Sequence, residues 1–198
     1  MLVLKDNNNI LSSNIGDSES IRFRIGKDSI IFNMLTTQLY SNPLQTVIRE
    51  YLQNARDAHR EVNKNHIPIR VNLPTEYNPE LIIRDYGPGI SPKRLNEVFT
   101  VFGETTKNNL NEHGGFGIGA TSVWSYSDII SIKSFYGYKE YNYVGYIEND
   151  VPKMKLVSIN DVDTDKFESG VEIKIPINVS DIKDAQRYFF KNVFFLES

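Results

Sequence analysis

The chain has 198 residues, 40% of them hydrophobic, with 22 Lys and Arg against 25 Asp and Glu for a net charge of −3, and no cysteine. That length and apolar content suffice for one substantial core and predict a single domain over residues 1–198. Lack of cysteine excludes a disulfide framework and a thiolate metal site, and the interspersed, nearly balanced charge argues against direct nucleic-acid binding through phosphate neutralisation.

Met1-Leu-Val-Leu is followed at once by Lys5-Asp6 and three asparagines, so no signal peptide or membrane span is read there, and a cytoplasmic location without membrane insertion is expected. Ile21-Arg-Phe-Arg-Ile25 alternates like a strand, and Asp28 is placed to cap a helix reaching about Tyr40. Ser41-Asn42-Pro43 then ends that helix and starts another, with Asn42 as cap and Pro43 in the first turn.

On this second helix Glu50, Asn54 and Asp57 project within roughly 60° of one another. Val47, Ile48, Tyr51, Leu52, Ala55, Ala58 and Val62 form a contiguous apolar arc beside them, and Arg49, Arg56 and Arg60 cluster on the far side. The acidic stripe borders the core with no basic residue at i±4 to neutralise it. Such a face can hold a metal and a water, although a solvated polar stripe has the same spacing.

Ile69–Leu73 and Leu81–Arg84 carry strand patterns, and the second breaks at Asp85 into Tyr-Gly87-Pro-Gly89-Ile90. A carboxylate at a strand mouth, backed by glycines that let a flat ring approach, can accept a hydrogen bond from an exocyclic amine such as that of adenine. The same residues also suit a plain tight turn. Ser91-Pro92 opens a helix expected to run to about Phe102. The polar stretch over about 103–114, including Thr106 and Lys107, reads as a lid with glycine near each end, or as a surface loop. Gly114-Gly115-Phe116-Gly117-Ile118-Gly119 then leads into a helix, and its exposed backbone N–H groups suit phosphate oxygens. This run lacks the Lys-Ser/Thr ending of a Walker loop, and no strand directly precedes it as a dinucleotide fingerprint requires.

Four more strands are predicted at Asp128–Ser134, Tyr141–Ile147, Met154–Ile159 and Val171–Ile177. Ser180 is placed to cap a last helix in which Tyr188, Phe189, Phe190, Val193, Phe194 and Phe195 accumulate. So aromatic a helix is expected to pack on something, either further chain or a dimer partner. Of the three histidines, His59 falls on the buried side of its helix as a packing residue, and His66 and His113 fall in loops. Helices before, between and after these strands imply an α+β two-layer sandwich, with a mixed, mostly antiparallel sheet covered on one face by helices.

Taken in order, the Glu50/Asn54/Asp57 helix, the strand ending in Asp85-x-Gly87-x-Gly89, the polar flap and the Gly114–Gly119 run resemble the GHKL ATPase superfamily, whose nucleotide site is the Bergerat ATP-binding fold. Phe32 to Tyr40, Val47 to His59, Arg84 to Gly89, Gly114 to Gly119 and Ser125 to Asp128 further resemble the N-terminal domain of the phage rapid-lysis rIIA-like proteins, over most of residues 20–178. The superfamily resemblance implies Glu50 as the general base for the attacking water, Asn54 as the Mg²⁺ ligand and Asp57 as a water-binding group. It implies Asp85 as the adenine-reading carboxylate, Gly87, Gly89 and Ile90 beside the ring, and Gly114, Gly115, Phe116, Gly117, Ile118 and Gly119 as the phosphate cradle. Thr106 and Lys107 lie where the family's lids carry polar residues near ATP. One departure is Val171, where the family's last strand carries a threonine; valine cannot donate to the adenine's water network, which bears on base specificity.

The implied activity is that of a weak ATPase using ATP and Mg²⁺, a conformational switch able to form a nucleotide-dependent homodimer, in the N-terminal part of a longer protein of the host cytoplasm. An ATP-binding scaffold that does not hydrolyse is the alternative. A histidine-kinase catalytic domain is disfavoured, since no phosphoacceptor helix pair surrounds the histidines and Glu50 would serve no purpose in a kinase that must exclude water.

Overall fold

A computed structural model describes residues 21–22, 24–25, 41–95, 101–102, 119–149 and 151–196. The helix α1 spans Pro43–Glu61. Its start follows the predicted chemistry, for Asn42 caps it by accepting the Gln45 N–H at 3.0 Å and Pro43 occupies a position that needs no donor. It stops where Asn63 takes a left-handed conformation with φ 58°. Its buried residues are Leu44, Thr46, Val47, Ile48, Tyr51, Leu52, Ala55 and His59, which include Val47, Ile48, Tyr51, Leu52 and Ala55 of the apolar arc read from the periodicity, whereas Ala58 and Val62 of that arc are only half-buried.

Seven strands form one sheet: β1 (Ile21–Arg22), β3 (Arg70–Asn72), β4 (Glu80–Arg84), β6 (Ile129–Tyr136), β7 (Lys139–Glu148), β8 (Val151–Asp161) and β9 (Gly170–Pro176). Their spatial order is β1-β8-β7-β6-β9-β4-β3, and every pairing among them is antiparallel. Leu81 and Ile83 of β4, Ile130 and Ile132 of β6, and Val171 and Ile175 of β9 all point to one face with the period of two that a half-buried strand requires. α1, a 3₁₀ helix at Gly119–Ser125 and α2 (Ile182–Leu196) cover that face, and their buried side chains merge with the strands into one core. The other face carries charged cross-strand pairs, Lys133–Glu172 at 3.9 Å and Lys174–Glu80 at 3.5 Å, as expected of a solvated surface. The architecture is therefore an α+β sandwich with helices on one side of the sheet.

Four expectations need correction. The segment Ile21–Ile25 is not one strand: Ile21–Arg22 joins the large sheet on β8, whereas β2 (Arg24–Ile25) pairs in parallel with β5 (Val101–Phe102). The helix opened at Ser91 therefore cannot reach Phe102, because the β-branched and aromatic pair at 101–102 finds a strand partner about 77 positions away in the chain, a tertiary preference that overrides local propensity. Ser180 does not cap α2, since it lies inside a 3₁₀ turn at Val179–Asp181 and its hydroxyl bonds Asp181 Oδ1 at 3.0 Å. The segment after the glycine run is a 3₁₀ helix: the Ser122 and Ser125 hydroxyls bond carbonyls three residues back, Gly119 at 2.7 Å and Ser122 at 2.6 Å, and satisfy them in the tighter spacing.

The helix expected over 28–40 lies outside the described residues. Among the described residues no helix is long and apolar enough to cross a membrane. α2 meets the start of α1, where the Asn42 amide donates to the Tyr188 hydroxyl at 2.5 Å, while Phe190 stays 53% exposed.

Candidate functional site

Asp85 follows directly on β4, and the edge of β9 receives it. Its N–H bonds the Val171 carbonyl at 2.9 Å, and its Oδ1 accepts the N–H groups of Val171 at 3.2 Å and Gly87 at 2.9 Å. Only 6% of the residue is exposed. Burial pushes its carboxyl up to about 6, against the pull of the Gly87 hydrogen bond, the Arg84 guanidinium and the Val171 N–H. Oδ2 has no hydrogen-bond partner among the described residues.

The turn after Asp85 is held tightly on three sides. A Cβ on Gly87 would lie 2.6 Å from the Cβ of Ala58 on α1, so only glycine lets this turn press against the helix. Gly89, at φ 75°, backs onto the Phe135 carbonyl of β6. The Ser134 hydroxyl then clamps Ile90, accepting its N–H and donating to its carbonyl, each at 2.8 Å. Arg84 braces the far side of the strand, its guanidinium 4.8 Å from the Tyr86 ring centre and 4.4 Å from that of Phe135, while it donates to the carbonyls of Asp85, Glu168 and Ser169.

Between this turn and α1 opens a narrow cleft with about 40 Å³ of space for water-sized groups. Asp85, Gly89, Ile90, Asn54 and Val171 line it, five residues selected from the sequence and brought together from three segments. The walls are largely apolar, from Ile83, Ile132 and Ile173 on the sheet and Ala55 and Ala58 on the helix. The Asn54 side chain makes no hydrogen bond among the described residues, and Asn54 lines the same space.

Glu50 stands one turn before Asn54, its side chain 29% exposed. A Cβ on Gly119 would lie 2.8 Å from Glu50 Oε2, so the last glycine of the run gives that carboxylate its place. The Tyr51 hydroxyl donates to the Ala120 carbonyl at 2.6 Å and ties α1 to the same segment; burial holds this phenol well above its ordinary range.

The acidic stripe is not free of cations as its i±4 spacing suggests. Arg49 pairs with Glu50 Oε1 at 2.9 Å, and Asp57 Oδ1 accepts from Arg60 at 3.2 Å and Gln53 at 2.9 Å. Long guanidinium arms reach partners at i+1 and i−3, which an i±4 rule does not count. Asp57 does not line the cleft. Thr106, Lys107, Gly114, Gly115, Phe116, Gly117 and Ile118, with the lid over about 103–114, lie outside the described residues.

Several cleft residues escaped the sequence reading. Ile132 and Ile173 carry only the alternation of ordinary core positions. The Glu61–Arg94 ion pair, 3.4 Å long, lies on the lining of the cleft; Glu61 stands on the Glu50 face three turns on, a signal that was available. Nothing in the sequence singles out Arg94.

Residues 40–137, just under half of the chain, match the family model described as histidine kinase-, DNA gyrase B-, and HSP90-like ATPase. That span holds α1, Asp85 and the glycine run, and leaves Val171 outside. None of the curated proteins matches the chain.

Proposed function

From a match that supports an ATP-binding domain of the GHKL type, we propose that this chain binds Mg-ATP in the cleft beneath Asp85, hydrolyses it weakly and serves as an ATP-gated conformational and dimerisation switch of an rIIA-like phage protein. The observation that carries the reading is Asp85: one oxygen is fixed by two backbone N–H groups, and the other is left to a ligand at the end of an apolar slot. A carboxylate so placed accepts the exocyclic amine of adenine, while the isoleucine and alanine walls take the ring.

The rest of the nucleotide follows the helix. Among the described residues no group of three or more His, Cys, Asp or Glu forms a metal cage. A single Asn54 amide oxygen suits Mg²⁺, which takes most of its ligands from phosphates and water and, when bound, neutralises their charge. Glu50 orients and deprotonates the attacking water, and Asp57 acts through water. In this reading the backbone N–H groups of Gly114 to Gly119 are assigned to the phosphates, and Thr106 and Lys107 to polar contacts from the lid. Val171 in the threonine position leaves purine choice to Asp85. A host-cytoplasmic protein longer than this chain, with the lid closing on ATP to create a dimer contact, completes the reading.

The Arg49–Glu50 pair favours a second reading, a scaffold that binds ATP without hydrolysis, because one Glu50 oxygen is already engaged by a guanidinium at 2.9 Å. Calorimetric Mg-ATP binding and phosphate release on wild type and Glu50→Ala separate the two. The switch predicts near-normal binding by Glu50→Ala with release slowed by about 10²–10⁴-fold. ATP binding with no Glu50-dependent release, even in the full-length protein, leaves the scaffold; no ATP binding by wild type removes both.

A further inference from the structure

His59 sits in the last turn of α1, 2% exposed, and it does more than fill space. Its Nε2 accepts the Tyr86 N–H at 2.7 Å, and the two rings lie 6.1 Å apart at a tilt of 49°. The Tyr86 carbonyl is taken by Lys64 Nζ at 2.9 Å, just beyond the same helix. Three successive N–H groups are thus held from three directions: Asp85 by the Val171 carbonyl, Tyr86 by His59, and Gly87 by the Asp85 carboxylate. Gly87 also presses on Ala58, the neighbour of His59, so this one turn of α1 is the template for the loop.

We propose that His59 is a positioning residue of the purine-reading loop: its ring nitrogen holds the Tyr86 N–H and thereby sets Asp85 and Gly87 in the geometry that accepts the base. This rests on the ATP-binding reading above. The contact requires a neutral ring with Nε2 unprotonated. The groups that face the ring are Lys64 from the loop after α1, Arg84 from β4 and Tyr86 from the loop itself. Burial, Lys64 and Arg84 hold its pKa below the ordinary value, against a backbone hydrogen bond with Ile67. Protonation, displaced to pH below the ordinary histidine range, removes the acceptor and puts a donor against a donor.

The test uses the whole chain as wild type, His59→Gln, which keeps an acceptor that does not titrate, and His59→Phe, which keeps the ring without the acceptor. Mg-ATP affinity is measured from pH 5 to 8, with turnover and hydrogen exchange at the Tyr86 amide. His59→Gln is expected to bind within about threefold of wild type at pH 8 and to lose less affinity on acidification. His59→Phe is expected to bind about tenfold more weakly at every pH, with KM raised, kcat kept and Tyr86 protection lost, the scale of one hydrogen bond. Acid loss common to wild type and His59→Gln belongs to Asp85. Superimposable pH profiles for wild type and His59→Gln, or wild-type affinity in His59→Phe, overturn the proposal while leaving the ATP reading intact. Should His59→Phe not fold, the His59→Gln profile decides alone. Absence of ATP binding by wild type overturns both.

Discussion

Replacing Asp85 by Asn should make the empty domain more stable and the nucleotide complex weaker. The carboxyl rises from its ordinary 3.8 to about 6, because burial opposes the charge more than the Gly87 and Val171 N–H groups and Arg84 relieve it. At neutral pH the buried charge therefore costs about 3 kcal/mol. Asn keeps an oxygen for both N–H groups and removes the charge, but adds an amide N–H₂ facing the cleft. A net gain of about 1–3 kcal/mol at pH 8 is expected, or about 2–4 °C in Tm per kcal/mol for a domain of this size.

The pH dependence has a definite sign. The folded pKa lies above the unfolded one, so the native state takes up the proton first. Wild-type stability therefore gains as pH falls from above 6 toward 3.8, and the advantage of Asp85→Asn closes over that window. Mg-ATP affinity should fall by about 1.5–3 kcal/mol, the value of a hydrogen bond to a charged acceptor. Thermal melts across pH and isothermal titration with ATP measure both effects. If Asp85→Asn is less stable than wild type at pH 8 with no closing difference on acidification, the carboxylate is not held against its solvation. If it binds ATP as wild type does, Asp85 does not read the base.

Gly119→Ala should push the Glu50 carboxylate aside, since the added Cβ falls 2.8 Å from Oε2 and the carboxylate is the movable partner. Phosphate release is expected to drop by about 10–100-fold with ATP affinity nearly kept, as single-turnover kinetics would reveal; unchanged release would mean that Glu50 acts from another position. Tyr51→Phe leaves the buried Ala120 carbonyl without its donor and should cost about 1–3 kcal/mol in urea unfolding. Its ATP affinity should also fall, because the anchor between α1 and the segment after the glycine run is cut.

The α1 start at Asn42 and Pro43, its buried arc and six of the strands were legible because each depends on residues close in the chain: a cap three positions from its donor, a stripe every three or four residues, an alternation of two. Asp85, Gly87 and Gly89 were legible as a group because a strand breaking into Asp-x-Gly-x-Gly is itself a local pattern. What faces them was legible only in part: the family resemblance put Val171 near the base, but its N–H bond to Asp85 across 86 positions, that of His59 with the Tyr86 N–H across 27, and the pairing of Val101–Phe102 with β2 arise through packing that no window of sequence contains. The sequence by itself determined which segments turn, cap and bury a face; tertiary structure alone decided which of them share a wall, since strand order and side-chain partners follow from the packing of whole elements, where long-range burial outweighs local propensity.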